Sequence, residues 1–219
     1  MAHWEFQKGR LSRRRAASKE PKPRIVVCCE GTNTEPQYFK GLASSFGNSL
    51  VTVEVHKGQG VPISVVESAC QQYDVLKKAA NKSKDSFDAF FEVWAVFDVD
   101  DHKRVPDAKQ NAKAKGVRVA CSNPCFEIWL LYHFEDCHRP YHRHDLQKYL
   151  ATKLHGYDPK GGKSISFNKL KDGVVDALRH AEKGLTARRA DGCDEGNPSS
   201  SVGLLAQAII DHGKGSGTS

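Results

Sequence analysis

Short runs of β-branched and aromatic residues alternate with stretches of helical period through the first half of the chain. Arg24–Cys29 is a buried strand. Glu35–Phe46 follows as a helix, with Thr34 as its N-cap and Pro36 in the first turn. Leu50–His56 is a β-branched strand, and the loop 57–60 separates it from a helix over Pro62–Ala80. In that helix Ile63, Val66, Ala69, Cys70, Tyr73 and Leu76 share one apolar face. A polar link, Asn81–Asp88, leads to a third strand over 90–97. Pro106–Lys115 is a helix ended by Gly116, and Val117–Cys121 is a fourth strand. Ser122 or Asn123 caps the next helix, with Pro124 in its first turn. Phe126–Phe134 is apolar nearly all round, so this helix should be buried. Three further helices fall at about 142–154, 166–183 and 200–212, with Gly-, Asp- and Lys-rich loops over 156–164 and 184–199 expected to be mobile.

Strands that alternate with helices predict an α/β fold. A parallel sheet with right-handed crossovers would be flanked by helices, and a helical C-terminal portion would pack on it. One domain over 24–212 is expected, between a disordered basic tail, 1–23, and a flexible tail, 213–219. A chain of 219 residues can bury a sizeable core. It has no apolar run long enough for a bilayer and no leader-like N-terminus, so no membrane association is expected. Seven cysteines, an odd number often set in apolar runs, read as reduced thiols of a cytoplasmic protein.

Charge changes the picture at one end only. Residues 1–24 hold eight Lys or Arg against two acids, which is six of the seven excess positive charges. The basic character therefore belongs to the tail, as a solvated segment or as a contact for nucleic acid phosphates or an acidic partner.

Two acidic sites carry the candidate chemistry. Glu30-Gly31 follows the first strand at once, and the third strand runs into Asp98-Val99-Asp100-Asp101. Extended backbone would aim Asp98 and Asp100 to one side. Open parallel sheets gather ligands at the carboxyl ends of their strands. Glu30, Asp98 and Asp100 would then converge around Mg²⁺ or Mn²⁺, with Asp101 and Glu127 as lesser ligands. Such an ion can activate water and stabilise the leaving oxygen of a phosphodiester. Read separately, each site is also an ordinary polar turn. Glu127 has two readings: half of a buried salt bridge, or a member of the acidic site. Thr34-Glu35-Pro36 opens a helix whose N–H groups either hold a phosphate or are simply capped. Glu35 either favours the helix dipole or supports the metal from behind. Cys121, Cys125, Cys137, His138, His142 and His144 match no standard zinc spacing. Gly161-Gly162-Lys163-Ser164 lacks the upstream glycine and strand of a Walker loop, so ATP hydrolysis by this chain is not expected.

Glu30-Gly31-Thr32-Asn33-Thr34-Glu35-Pro36-Gln37-Tyr38-Phe39 resembles the E-G-x-x-T-E-P-x-Y-F motif of the RloB-like family. Arg13-Arg14-Arg15, Asp98-Val99-Asp100, the block Ser122–Leu131 and Asn197-Pro198-Ser199-Ser200 resemble that family's other blocks, in the same order over roughly 10–210. The resemblance implies a Toprim-like fold, with Glu30, Asp98 and Asp100 as metal-binding acids. It also implies an ABC- or SMC-like partner ATPase and a place in restriction or anti-phage defence. The matched blocks supply Gly31, Thr34, Glu35, Asn123, Asn197 and Ser199 as candidate phosphate or substrate contacts. One departure is Gly203, where the family pattern often has a His four residues after the Ser of the Asn-Pro-Ser block.

Two functions follow. The first is a metal-dependent nuclease acting with a partner ATPase. The second is a non-catalytic nucleic-acid-binding or regulatory subunit of that ATPase. No base-reading motif separates DNA, RNA and small nucleotides as substrates. For the tail, deletion of residues 1–20 should leave folding intact, lower nucleic-acid affinity and flatten its salt dependence. Equal anisotropy titrations of the full-length and shortened chains at every salt concentration would show that the tail makes no phosphate contact.

Overall fold

A computed structural model describes residues 22–55, 61–83, 86–99 and 104–213. Asp100, Asp101, the loop 57–60 and most of both expected tails lie outside the described residues. Four parallel strands form the sheet: β1 (Arg24–Cys29), β2 (Val51–Val55), β3 (Phe91–Asp98) and β4 (Arg118–Asn123). A two-residue strand, β5 (Ser199–Ser200), pairs antiparallel with the end of β4. The order is β2-β1-β3-β4-β5. The architecture is therefore α/β, consistent with a Toprim-like fold.

The central strands β1 and β3 are apolar on both faces because helices cover both, whereas the edge strand β2 is half-buried and carries Thr52 and Glu54. Ile25, Val27, Cys29, Trp94 and Val96 face α1 (Thr34–Ser45), α6 (Val174–Ala190) and α7 (Val202–Gly213). Val26, Cys28, Val93, Ala95 and Phe97 face α2 (Pro62–Lys82) and α3 (Val105–Lys115). Two shorter helices, α4 (Glu127–Leu131) and α5 (Arg143–Lys153), complete the first of these layers. None of the described helices is long and apolar enough to cross a membrane. Chain direction reverses its progress across the sheet between β1 and β3. That is the switch point, where the loops leaving neighbouring strands diverge and open a crevice.

Several boundaries differ from the sequence reading, each for a local reason. Thr34 is the first residue of α1 and not its cap, because its hydroxyl donates to the Lys163 carbonyl at 2.7 Å. Ser122 and Asn123 do not cap α4, because they pair with Ser200 and Ser199 in the sheet. Pro124 likewise precedes the helix. The Asp98 carboxylate accepts the Phe126 N–H instead, at 2.9 Å. The expected helix 126–134 shortens to five residues. The His133 ring takes the Trp129 carbonyl that the next helical N–H would use, and the backbone tightens to His133 N–H donating to Leu130 O at 3.2 Å. Helix α6 extends through Gly184 to Ala190. That glycine does not break the helix; it makes room for Tyr132, whose hydroxyl would lie 3.0 Å from a Cβ there.

His133 is the group that locks α4 to α1. A carbonyl can only accept, so Nδ1–H donates to Trp129 O at 3.0 Å, and Nε2 accepts from the Tyr38 hydroxyl at 3.1 Å. Burial lowers this imidazole to about 4. Below about pH 6.5 the unfolded chain takes up a proton that the folded chain refuses until about pH 4. Stability should fall across that window as pH decreases, by roughly 3 kcal/mol. The wild type should lose more stability between pH 6.5 and 4 than His133→Gln, measured by denaturant melts. Parallel curves would show that His133 is not held neutral.

Candidate functional site

The carboxyl ends of β1 and β3 deliver the site. Glu30 is the first residue beyond β1, where its N–H donates to Val96 O at 3.1 Å and its Oε2 accepts the Asp98 N–H at 3.3 Å. Asp98 is the last residue of β3. The chain after Glu30 turns into α1, and Glu35 folds back so that Oε1 accepts the Gly31 N–H at 3.2 Å. The glycine at 31 leaves room for this, because a Cβ there would overlap the Glu35 carboxylate and push it aside. Glu127, at the start of α4, points into the same space. A cavity of about 280 Å³ is lined by these four carboxylates together with Thr34, Arg143 and Lys163.

The acids are not equivalent. Asp98 Oδ1 holds the Phe126 N–H, and Oδ2 accepts from Arg143 Nη2 at 2.5 Å. Glu127 is only 4% exposed. Its Oε1 accepts from Tyr157 Oη at 2.6 Å and Gln147 Nε2 at 3.2 Å, and the Lys163 ammonium lies 3.7 Å away. Glu127 thus realises both sequence readings at once: it is a buried, cation-paired carboxylate and a wall of the acidic site. Its partner is a lysine.

Burial, then the charges of Glu127 and Glu30, push the Glu35 carboxyl up to about 7. Burial, then Glu35, Glu127 and Glu30, push Asp98 well above the carboxylate range, and Arg143 opposes this. Fully ionised, the four acids exceed the two cations by two formal negative charges, which matches one divalent ion. Their hard oxygen donors suit Mg²⁺ or Mn²⁺. As placed, however, no group of three or more His, Cys, Asp or Glu side chains among the described residues is arranged to hold a metal ion. The reason is visible: Asp98 is turned to Arg143 and Phe126, and Glu127 to Tyr157 and Gln147. Asp100 and Asp101 lie outside the described residues.

Of the expected contact residues, Gly31, Thr34 and Glu35 line the cavity. Asn123, Asn197 and Ser199 gather at the β4–β5 end and do not line it. Asn123 Nδ2 donates to Glu195 O at 2.5 Å, Ser199 is buried opposite Asn123, and Asn197 bonds the Tyr141 backbone twice. At Gly203 a Cβ would already meet Trp129 and Ala181 at 3.4 and 3.5 Å. These are ordinary packing distances, so the glycine at 203 lies against Trp129 and Ala181 without being required by them.

Arg143 and Lys163 were missed from the sequence. Lys163 had a signal, since a lysine after paired glycines marks an unusual turn. Its backbone is left-handed (φ 53°), which costs a non-glycine residue about 1–2 kcal/mol. Four hydrogen bonds hold the expected mobile loop against α1. Asn33 donates to Gly162 O at 2.8 Å and Thr34 to Lys163 O, while Gln37 Oε1 accepts from Ser164 Oγ and the Ile165 N–H at 3.0 and 2.7 Å. Arg143 had no local signal, because it reaches Asp98 from the first turn of α5.

The switch-point cavity places the chain in the broad class of open α/β sheets that keep their site at the carboxyl ends of central strands. Within that class it belongs to the RloB-like protein family, whose model matches residues 25–209. No curated protein and no solved structure matches it.

The raised carboxyls give a signed expectation. Ionising Glu35 costs nothing extra below about pH 4.5, and the penalty grows as pH rises through 7. In chelator at pH 8, Glu35→Gln should therefore melt higher than the wild type, by up to roughly 3 kcal/mol of stability. The gain should vanish toward pH 4.5. A variant that is less stable at pH 8 would mean that Glu35 gains more from its contacts than it loses to repulsion.

Proposed function

We propose that this protein is a Mg²⁺- or Mn²⁺-dependent nuclease that cleaves nucleic acid phosphodiesters. The observation that carries the reading is the convergence of Glu30, Glu35, Asp98 and Glu127 in one cavity with Arg143 and Lys163. Repelling, largely buried carboxylates are costly without a cation among them. Cations in the same cavity suit the phosphate that such an ion would bind. The ion would be held by Glu30 and Asp98, with Asp100 and Asp101 following on the same segment and Glu127 lining the same cavity. When bound, it supplies Lewis-acid polarisation of the phosphate and a more acidic water.

The remaining work falls to side chains. Arg143 and Lys163 hold the non-bridging phosphate oxygens and offset charge that builds on them. The Phe126 N–H fixes the Asp98 carboxylate, and the tethers from Asn33, Thr34 and Gln37 fix Lys163. Glu30 is less buried than Glu35 and is the carboxylate placed to exchange a proton with water. Action with an ABC- or SMC-like ATPase in restriction or anti-phage defence rests on the family resemblance.

The purified chain should cleave plasmid DNA or RNA with Mg²⁺ or Mn²⁺ and stop when chelator is added. Asp98→Asn and Lys163→Met should each lower the rate about 100-fold or more, measured at a temperature where circular dichroism shows the variant folded. A folded protein that neither cleaves DNA or RNA nor binds Mn²⁺ by calorimetry would overturn the nuclease reading. It would then favour a non-catalytic partner of the ATPase.

A further inference from the structure

Beside the acidic cavity lies a ladder of flat side chains that the nuclease chemistry does not use. Tyr141 and Tyr149 stack with ring centroids 5.9 Å apart and planes 20° from parallel. The exposed Arg139 guanidinium lies 4.5 Å from the Tyr141 ring centre and 5.6 Å from that of Tyr149, and its Nε, at 2.8 Å, and Nη2 both donate to the Tyr141 hydroxyl. Lys153 approaches the Tyr149 ring at 5.3 Å.

The ladder is held rigidly. Both rings are half-buried and pack against the main core. Asn197 Nδ2 donates to Tyr141 O at 2.7 Å, and Asn197 Oδ1 accepts the Tyr141 N–H at 3.1 Å. Tyr149 Oη donates to Glu135 at 2.8 Å. Residues 139–153 carry four Lys or Arg against one Asp. The ladder also adjoins the site. Tyr141 is two residues before Arg143, whose guanidinium is on Asp98, so their backbones are at most about 7 Å apart.

We propose that Arg139, Tyr141 and Tyr149 form a stacking platform for the bases of single-stranded nucleic acid, next to a phosphate bound at Arg143. The inference rests on the phosphodiester reading of the cavity and adds the substrate class. Bases stack on aromatic rings and guanidinium planes only when they are splayed from a strand, since a duplex keeps its base faces paired against one another. Lys148 and Lys153 on α5 are paired with Asp145 at 3.7 Å and Glu135 at 2.7 Å, so the charge offered to the backbone of that strand is chiefly the exposed Arg139. Asn197 acquires a role here: it does not touch the cavity, but it sets the position of Tyr141.

The test is binding in chelator, where cleavage cannot contribute, with labelled oligo-dT, oligo-U and a duplex of equal length. Wild type should bind one or both single strands more tightly than the duplex, and the dT and U arms show whether DNA or RNA is preferred. Tyr141→Leu should weaken single-strand binding about tenfold and leave duplex binding and Mn²⁺ affinity unchanged, and Tyr141→Phe, which keeps the ring but removes the hydroxyl that Arg139 bonds, should recover most of it. Arg139 is fully exposed, so Arg139→Gln will fold. It should weaken single-strand binding and reduce the salt slope by about one. Unchanged single-strand binding in both Tyr141→Leu and Arg139→Gln would overturn the platform, as would tighter duplex binding by the wild type. Absence of cleavage with this binding pattern intact would sink the nuclease reading alone.

Discussion

The carboxylate of Asp98 is the interaction on which the site depends. One oxygen holds the first N–H group before α4 and the other holds Arg143 at the start of α5. A single side chain at the end of a central strand thereby fixes where two helices begin. Its ionised form is disfavoured by burial and by three neighbouring acids, so Arg143 is needed to offset them. A cation that reaches Asp98 Oδ2 competes with Arg143 for that oxygen. Occupancy of the acidic centre and the position of α5 are coupled through one bond.

The ten residues from Glu30 to Phe39 have distinct tasks. Glu30 crosses to β3, Gly31 admits Glu35, and Asn33, Thr34 and Gln37 seize the distant loop. Tyr38 bonds His133 and lies edge-on to Phe39, Phe126, Trp129 and Phe167, while Phe39 is fully buried. The motif is dense because one turn of helix serves the site on one side and the core on the other.

What the sequence made legible is local. Apolar runs marked β1 and β3, since strands buried on both faces must be apolar throughout, and β-branched residues marked the half-buried β2 and the start of β4. Glu30 and Asp98 stood out because an acid directly after such a run is visible without knowing any contact. Glu127 stood out as the one charge in an apolar stretch. What was hidden depends on distant partners. β5 is two serines that become a strand only beside Ser122 and Asn123. Arg143 is one basic residue among many until it meets Asp98. Gly184 looked like a helix end because its reason for being glycine, Tyr132, lies on another helix.

The loop that carries Lys163 has a consequence for synthesis. Its bonds to Asn33 and Thr34 span 129 positions of chain. A ribosome could release β1 to β4 with their acids, and the sheet could begin to pair, long before Lys163 emerges. Contacts of such sequence separation close late. The acids are therefore present early, but the cations that share their cavity are added only once most of the protein has been made. A nascent chain would carry a half-built cavity, and the finished one arrives with the folded molecule.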